Sequence, residues 1–526
     1  MTNTSILTLD GVTLALPNGR QLFAPISESF DQRRTGLVGV NGVGKSLLGQ
    51  ILAGSLAPSE GRCLRSGRVH YLHQHFVSQC STVAELAQVG SVVAALQRIE
   101  AGSADPADFD VVAERWDIRE RVQAQLDRHG LGQLELERDA ASLSGGQAMR
   151  VALIGALVSQ ADYLILDEPS NHLDVGAREQ LHQMLLGWVK GLLVISHDRT
   201  LLGHMQRIVE LTPQGLRSYS GDYRHYEHAK AHEQACALHT LDRLKHERRR
   251  QTQVLQQQRE SLERRQADAG RQARQANQAK ILIGRQQQRS QATAGRQQRE
   301  HQAAEAKLHA QLRQANKQVE RNSPIVMHAP DAGRSQGKSV LSVSGLQLPR
   351  GSQAPLDLHL RSGEHMAVIG ANGTGKSTLL KVLAGQLQAS AGSFQVSGEV
   401  ALLDQHYSLL PAELSALAFL RLANPGLAHS EVRTRLAQLG LDAARVEMPT
   451  ALLSGGERLK AALAGLLYRQ RPVDLLLLDE PSNHLDLPSL LALERMLDQF
   501  CGGLLVACHD QAFLQRLQLH DSLRLG

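Results

Sequence analysis

The chain has 526 residues, of which 42% are hydrophobic, 21% charged and only 3% aromatic. That length exceeds one ordinary core and predicts two or three domains packed mainly through Leu, Val, Ala and Ile, while no apolar run approaches the roughly 18–20 residues that a membrane helix needs. The formal net charge of +5 is unevenly spread: residues 230–323 hold 20 Lys or Arg against 9 Asp or Glu, a local net of +11 that leaves −6 for the rest and points to a polyanionic partner for the middle of the chain.

In chain order, the opening MTNTSILTLDG has no basic stretch ahead of an apolar core, so a secretory signal is not expected. Gly36–Val40 is a short apolar run entering the loop Gly39-Val40-Asn41-Gly42-Val43-Gly44-Lys45-Ser46, and Leu47–Leu52 opens a helix behind it. Helical segments follow, then Leu143-Ser144-Gly145-Gly146-Gln147. A buried strand, Tyr163–Leu166, ends on Asp167-Glu168 and leads into Pro169-Ser170-Asn171-His172-Leu173-Asp174. Leu192–Ile195 is a further strand, ending on Ser196-His197-Asp198. From about residue 228 the composition turns to Arg, Gln, Ala, Lys and Glu, without one aromatic between Tyr226 and Phe394. Leu238, Leu241, Leu255 and Leu262 give a thin apolar stripe, and Gly270, Gly284 and Gly295 interrupt it, which predicts two long helices turned back on each other.

The first pattern then returns. The loop recurs as Gly370-Ala371-Asn372-Gly373-Thr374-Gly375-Lys376-Ser377 and the serine-glycine motif as Leu453-Ser454-Gly455-Gly456-Glu457. The strand-end motif recurs unchanged from Leu478 to Asp486, and Ser196-His197-Asp198 returns as Cys508-His509-Asp510. Lys45 and Gln74 are each 331 residues from their counterparts Lys376 and Gln405, but Asp167 and His197 are 312 residues from Asp479 and His509. Ser144 is 310 residues from Ser454, so the first copy carries about 21 extra residues between Gln74 and Ser144, in the helical stretch containing Asp105-Pro106-Ala107-Asp108-Phe109. The expected organisation is one α/β fold used twice, over residues 5–227 (with the helical insertion near 85–120) and 338–526, joined by a basic helical linker over 228–335.

Each glycine loop suits a nucleotide's phosphates. Its glycines let backbone N–H groups point inward, and the helix behind aims its positive end at the same place. Lys45 and Lys376 would neutralise phosphate charge, and the hydroxyls of Ser46 and Ser377 would ligate Mg²⁺ with Asp167 and Asp479. Thr378 adds a hydroxyl beside the second loop that Leu47 lacks beside the first. Glu168 and Glu480 would polarise the attacking water, with His197 and His509 as sensors of the terminal phosphate. Gln74 and Gln405, at matched positions, would reach the metal and the water. The five cysteines (Cys63, Cys80, Cys236, Cys501 and Cys508) form no CxxC pair and read as free thiols of a reducing, cytoplasmic compartment.

Phosphate loop, glutamine, LSGGQ or LSGGE, LDEPSNHLD and SHD or CHD together resemble the ATP-binding cassette superfamily. In that superfamily the signature Ser and glycines bind the nucleotide held by the opposite cassette. The resemblance implies two composite ATP sites: Gly39, Asn41, Gly42, Gly44, Lys45 and Ser46 facing Ser454, Gly455, Gly456 and Glu457, and Gly370, Asn372, Gly373, Gly375, Lys376, Ser377 and Thr378 facing Ser144, Gly145, Gly146 and Gln147. Family members often stack adenine on an aromatic. Phe23 is the candidate in the first copy, though it serves equally as a core residue, and the second copy has none.

Two cassettes, a basic linker, and Tyr219-Ser220-Gly221-Asp222-Tyr223-Arg224-His225-Tyr226, with Asp222 where the family's Gly-Asn-Tyr motif has Asn, resemble the ABC-F subfamily. That resemblance implies a monomeric ribosome-binding ATPase whose linker reaches ribosomal and transfer RNA, as a translation factor or an antibiotic-resistance protein, and a reduced arm in the first cassette. Arg264, Arg265, Arg271, Arg274, Lys280 and Arg285 are candidate RNA contacts, with Arg248, Arg249, Arg250 and Arg289 also available; without aromatics, contact would be mostly to backbone and shape. A DNA-associated cassette ATPase and the ATPase subunit of a membrane transporter are the alternative readings.

Overall fold

The computed structural model describes residues 7–16, 19, 21–74, 76, 80–171, 173–275, 306–316, 337–441, 443–483, 485–519 and 521–526. They form two compact units: Met1–Tyr226 with Ile325–Gly526, and Glu227–Pro324.

In the first unit, strands β1 (Leu7–Thr13), β2 (Ile26–Phe30), β3 (Arg34–Val38), β4 (Glu60–Arg65), β5 (Val69–Leu72), β6 (Tyr163–Asp167), β7 (Gly191–Ile195), β8 (Arg207–Thr212) and β9 (Gly215–Ser220) build the first cassette. The second is built from β10 (Ser339–Gln347), β11 (Leu356–Arg361), β12 (His365–Ile369), β13 (Ala391–Val396), β14 (Val400–Leu403), β15 (Leu475–Asp479), β16 (Gly503–Ala507) and β17 (Asp521–Arg524). The main sheets run β5-β6-β7-β3-β8-β9 and β14-β15-β16-β12-β17, parallel except for β9, and each cassette adds a three-stranded antiparallel sheet, β2-β1-β4 or β11-β10-β13. The duplication is therefore one of topology as well as motif. All five residues of β6, β7, β15 and β16 are buried, as a parallel sheet covered on both faces demands, and this is why they read as unbroken apolar runs.

The insertion has a visible cause. Between β5 and the signature helix the first cassette carries helices Val83–Leu86, Gly90–Glu100, Pro106–Val112 and Ile118–Arg128, where the second carries Ala416–Ala423 and His429–Gln438. Asp105 caps Pro106–Val112 by accepting the Ala107 N–H, and Asp108 binds Arg98 at 2.6 Å and the Ser103 hydroxyl at 2.8 Å.

The cassettes also meet through a buried ion pair at 2.6 Å, Arg199 of the first with Glu494 of the second. Its pseudo-symmetric counterparts are Gln511 and His182, so this ion pair has no matching pair at the equivalent positions. At the end of the first cassette the Asp222 carboxylate accepts the His225 backbone N–H at 3.1 Å, while Tyr226 donates to Glu210 at 3.3 Å and packs edge-on against Tyr219. Asp at this place performs the helix-capping that Asn would, so the departure from the Gly-Asn-Tyr motif is chemically small.

One helix of 53 residues, Tyr223–Gln275, begins in the last residues of the first unit's opening segment and supplies most of the described part of the second, where residues 306–316 are also helical. Leu241 and Leu244 pack against Leu308, Leu312 and Ala315, so the two stretches lie side by side. Two details differ from expectation. The helix continues through Gly270, because an isolated glycine costs only about 1 kcal/mol among strong helix formers. Leu238 is exposed rather than in the seam. Gly284, Gly295, Lys280, Arg285 and Arg289, and the side chains of Leu255, Leu262, Arg265, Arg271 and Arg274, lie outside the described residues; Arg248, Arg249, Arg250 and Arg264 are exposed. No helix among the described residues is long and apolar enough to cross a membrane.

Candidate functional sites between the cassettes

Each glycine loop closes on a residue that only glycine suits. Gly44 and Gly375 cap their helices with φ near +102° and +100°. A Cβ on Gly44 would lie 3.2 Å from Leu22 and 3.3 Å from the Phe23 ring; on Gly375 it would lie 2.9 Å from the Arg350 carbonyl oxygen. Behind them, Lys45 folds back to donate to the carbonyls of Gly39 (2.7 Å) and Val40 (3.2 Å), and Lys376 to those of Gly370 and Ala371 (both 2.9 Å). Burial pushes both ammonium groups down in pKa against the nearby carboxylates.

The strands place the acids. Asp167 and Asp479, last residues of β6 and β15, are hydrogen-bonded by the hydroxyls of Ser46 and Ser377, and Tyr71 adds a bond to Asp167 at 3.1 Å. One oxygen of the buried Asp167 carboxylate makes no hydrogen bond, and burial raises both carboxyls above their ordinary range. A serine hydroxyl beside an unsatisfied carboxylate oxygen fits Mg²⁺, a hard cation that takes oxygen ligands and shares them with phosphates.

Immediately after them, Glu168 and Glu480 sit in the left-handed region, both at φ +49°, pinned by donation of their N–H groups to Ile195 and Ala507 at 2.8 Å. Non-glycine residues held there cost of order 1–3 kcal/mol, a strain typical of functional positions. His197 and His509 stand 3.5 and 3.6 Å from the carboxylates of Glu168 and Glu480. Burial raises Glu168 to about 8 and Glu480 to about 7, and lowers His197 well below its usual value and His509 to about 4. Both histidines are therefore neutral at physiological pH. Nε2 of His509 lies 3.0 Å from the Asn372 side-chain oxygen, which requires the proton on that nitrogen.

The first cleft, of about 430 Å³, brings Asn41, Gly42, Gly44, Lys45, Ser46, Gln74, Asp167, Glu168 and His197 together with Ser454, Gly455 and Gly456 of the other cassette. The second, of about 350 Å³, gathers Asn372, Gly373, Gly375, Lys376, Ser377, Thr378, Gln405, Asp479, Glu480 and His509 with Leu173 and Arg178 of the first cassette. Ser144, Gly145 and Gly146 do not line it. Gln147 and Glu457 reach back to the N–H groups of Ser144 and Ser454 in capping boxes that start the signature helices, and line neither cleft.

Three features escaped the sequence reading. Asp486 accepts the Asn41 N–H at 3.0 Å and Asp174 that of Asn372 at 3.4 Å, a reciprocal exchange between cassettes for which the repeated motif was the only sequence signal. Tyr71 next to Asp167 had none. Phe23 is buried in the core beneath Gly44; Leu16 and Leu22 line the first cleft instead, and Arg350 and Gly351 the second. His172 and His484 lie outside the described residues.

Phosphate loops, buried acids at strand ends and a signature helix facing the opposite loop define a twin-cassette phosphate-loop ATPase. A profile of the ABC transporter family matches residues 28–171 and 354–483. The tylosin resistance ATP-binding protein TlrC of Streptomyces fradiae is 30% identical over 99% of this chain and 98% of its own length. ABC transporter F family member 5 of Arabidopsis thaliana is 28% identical over 92% of this chain and 70% of its own. Among solved structures, the archaeal ribosome recycling factor aABCE1, in complex with the ribosomal stalk protein aP1, superposes with a TM-score of 0.55 at 18% identity, covering 96% of this chain and 86% of that one. The chain belongs to the ATP-binding cassette family, in its F subfamily, and is an ATPase.

Proposed function

We propose that this ATPase uses ATP to bind the ribosome and hydrolysis to leave it. The observation that carries the reading is the first cleft, where Lys45, Glu168 and His197 share one cavity with Ser454, Gly455 and Gly456. A nucleotide there would be held from both sides, so binding favours the closed pair and its loss favours opening. Lys45 and Lys376 release their loop carbonyls to take phosphate oxygens, and the backbone N–H groups of Gly42, Gly44, Gly373 and Gly375 hold the remainder. Ser46, Asp167 and Gln74, and Ser377, Asp479 and Gln405, would hold Mg²⁺, which supplies charge neutralisation across the β- and γ-phosphates. Glu168 and Glu480, in their ionised form, orient water and accept its proton, and the neutral His197 and His509 hold the glutamate and terminal phosphate in line. The same roles extend to the second site with Ser144, Gly145 and Gly146 once the cassettes close on it.

The linker's local charge of +11 and its exposed Arg248, Arg249, Arg250 and Arg264 suit ribosomal and transfer RNA phosphates. The test is the double variant Glu168→Gln with Glu480→Gln, which should bind ATP, hydrolyse it at a small fraction of the normal rate and accumulate on ribosomes only with ATP. Retention that is indifferent to ATP, or equal on DNA and on ribosomes, refutes the reading. The match to TlrC along nearly the whole of both chains favours drug protection as the form this role takes. Expression of the wild type, but not of the double variant, should then raise the tylosin concentration that inhibits a sensitive host.

A further inference from the structure

Among the residues that each cleft receives from the opposite cassette, one matched position differs in charge. Arg178 lies one turn into the helix Val175–Leu186, which follows the first cassette's strand-end motif, and it lines the second cleft beside Lys376, Glu480 and His509. Its pseudo-symmetric counterpart, 312 residues on, is Leu490, which lines the first cleft from the second cassette. The guanidinium is largely buried at 12% exposure, held by donation of Nε to the Leu173 carbonyl at 3.1 Å and by Asp198 at 3.6 Å from Nη1. It also borders the first cleft, but there the opposing cassette presents Leu490 and Leu485. The second copy builds the same helix and the same aspartate cap with leucine at this place, so the motif folds without an arginine.

We propose that Arg178 is a catalytic residue of the second ATP site, supplied by the first cassette, and that the two sites consequently hydrolyse ATP at unequal rates with the second faster. The proposal rests on the site assignments above. In the reaction the water oxygen forms a bond to the terminal phosphorus, its proton passes to Glu480, and the bond to the β-phosphate oxygen breaks to release ADP. Negative charge spreads over the three equatorial oxygens as this happens, and a largely buried guanidinium held by Leu173 and Asp198 stabilises it with little reorganisation. At the first site the opposing cassette offers Leu490 at the matched position, and Arg178 borders that cleft only from the same cassette as its phosphate loop.

The test uses the full chain in two single-site backgrounds. With Glu168→Gln, which leaves the second site active, Arg178→Leu should lower kcat at least tenfold with KM changed less than threefold, and Arg178→Lys should recover part of the loss. With Glu480→Gln, which leaves the first site active, Arg178→Leu should lower kcat less than twofold, and Leu490→Arg should raise it. Equal losses in both backgrounds, or a Lys variant no better than Leu, would assign Arg178 to anchoring Leu173 and Asp198 and overturn the proposal. Unchanged total turnover of Arg178→Leu in the otherwise unaltered chain overturns it whatever the glutamates do. If instead neither Gln variant lowers turnover, while Arg178→Leu does, the glutamate assignment is what fails.

Discussion

Removing Arg199 tests whether the cassettes are held by a buried charge. Its contact with Glu494 is 2.6 Å, and the side chains are 4% and 6% exposed. At an effective dielectric of about 20 the gross attraction is about 6 kcal/mol, most of it offset by desolvation of the two ions. Breaking such a pair from one side, however, leaves the other charge buried, at a cost of about 3–5 kcal/mol. Arg516, 3.6 Å from the second Glu494 oxygen, remains and relieves part of this, so Arg199→Ala should destabilise by about 3 kcal/mol. The effect carries a pH signature. Burial already holds the Glu494 carboxyl above its ordinary pKa in spite of Arg199 and Arg516. Without Arg199 it rises further. A raised carboxyl contributes stability below its unfolded value and loses it as pH climbs through the folded one, so the deficit of Arg199→Ala should be larger at pH 8 than at pH 5. Denaturant unfolding of the nucleotide-free wild type, Arg199→Ala, Glu494→Ala and the double variant closes the cycle, and a coupling of at least about 1.5 kcal/mol is expected. A coupling near zero, or a deficit independent of pH, would refute the claim that this contact is a desolvated ion pair.

Glu480 provides a second pH test. Its carboxyl is raised to about 7 by burial, against 4.5 when unfolded, so the wild type loses stability on ionisation as pH rises and Glu480→Gln does not. In nucleotide-free, EDTA-treated protein the advantage of Glu480→Gln over wild type should grow by about 2.5 kcal/mol between pH 5 and pH 8, and a flat difference would contradict it. In the second unit, Leu312 packs in the small seam with Leu241, Leu244 and Leu308. Leu312→Ala should cost about 2–3 kcal/mol there and speed tryptic cleavage of the linker by an order of magnitude or more, with cassette ATPase activity retained.

The parts of this protein legible in its sequence are those made by residues close together in the chain. A glycine loop followed by Lys-Ser needs only its own backbone and the helix behind it to form a phosphate cradle. Five apolar residues ending on Asp-Glu need only a covered parallel sheet to present their carboxylates, and repetition of both patterns gave the twin cassettes and the position of the extra helices. Periodicity, in contrast, placed Leu238 in the linker seam and took Gly270 as a break. Neither held, because a long helix selects its buried stripe and tolerates a glycine according to what packs beside it.

What only the tertiary structure decided lies in contacts between residues distant in the chain. Phe23 is core, its ring against Gly44, while Leu16 and Leu22 face the cleft. The exchange of Asp174 and Asp486 with the opposing loops, the pairing of Arg199 with Glu494, and the reach of Arg178 into the opposite cassette's cleft where Leu490 takes the matched place depend on how two halves of one topology dock. Local propensity sets the halves; burial and charge at their contact, which no short stretch of sequence encodes, set the differences between the two sites.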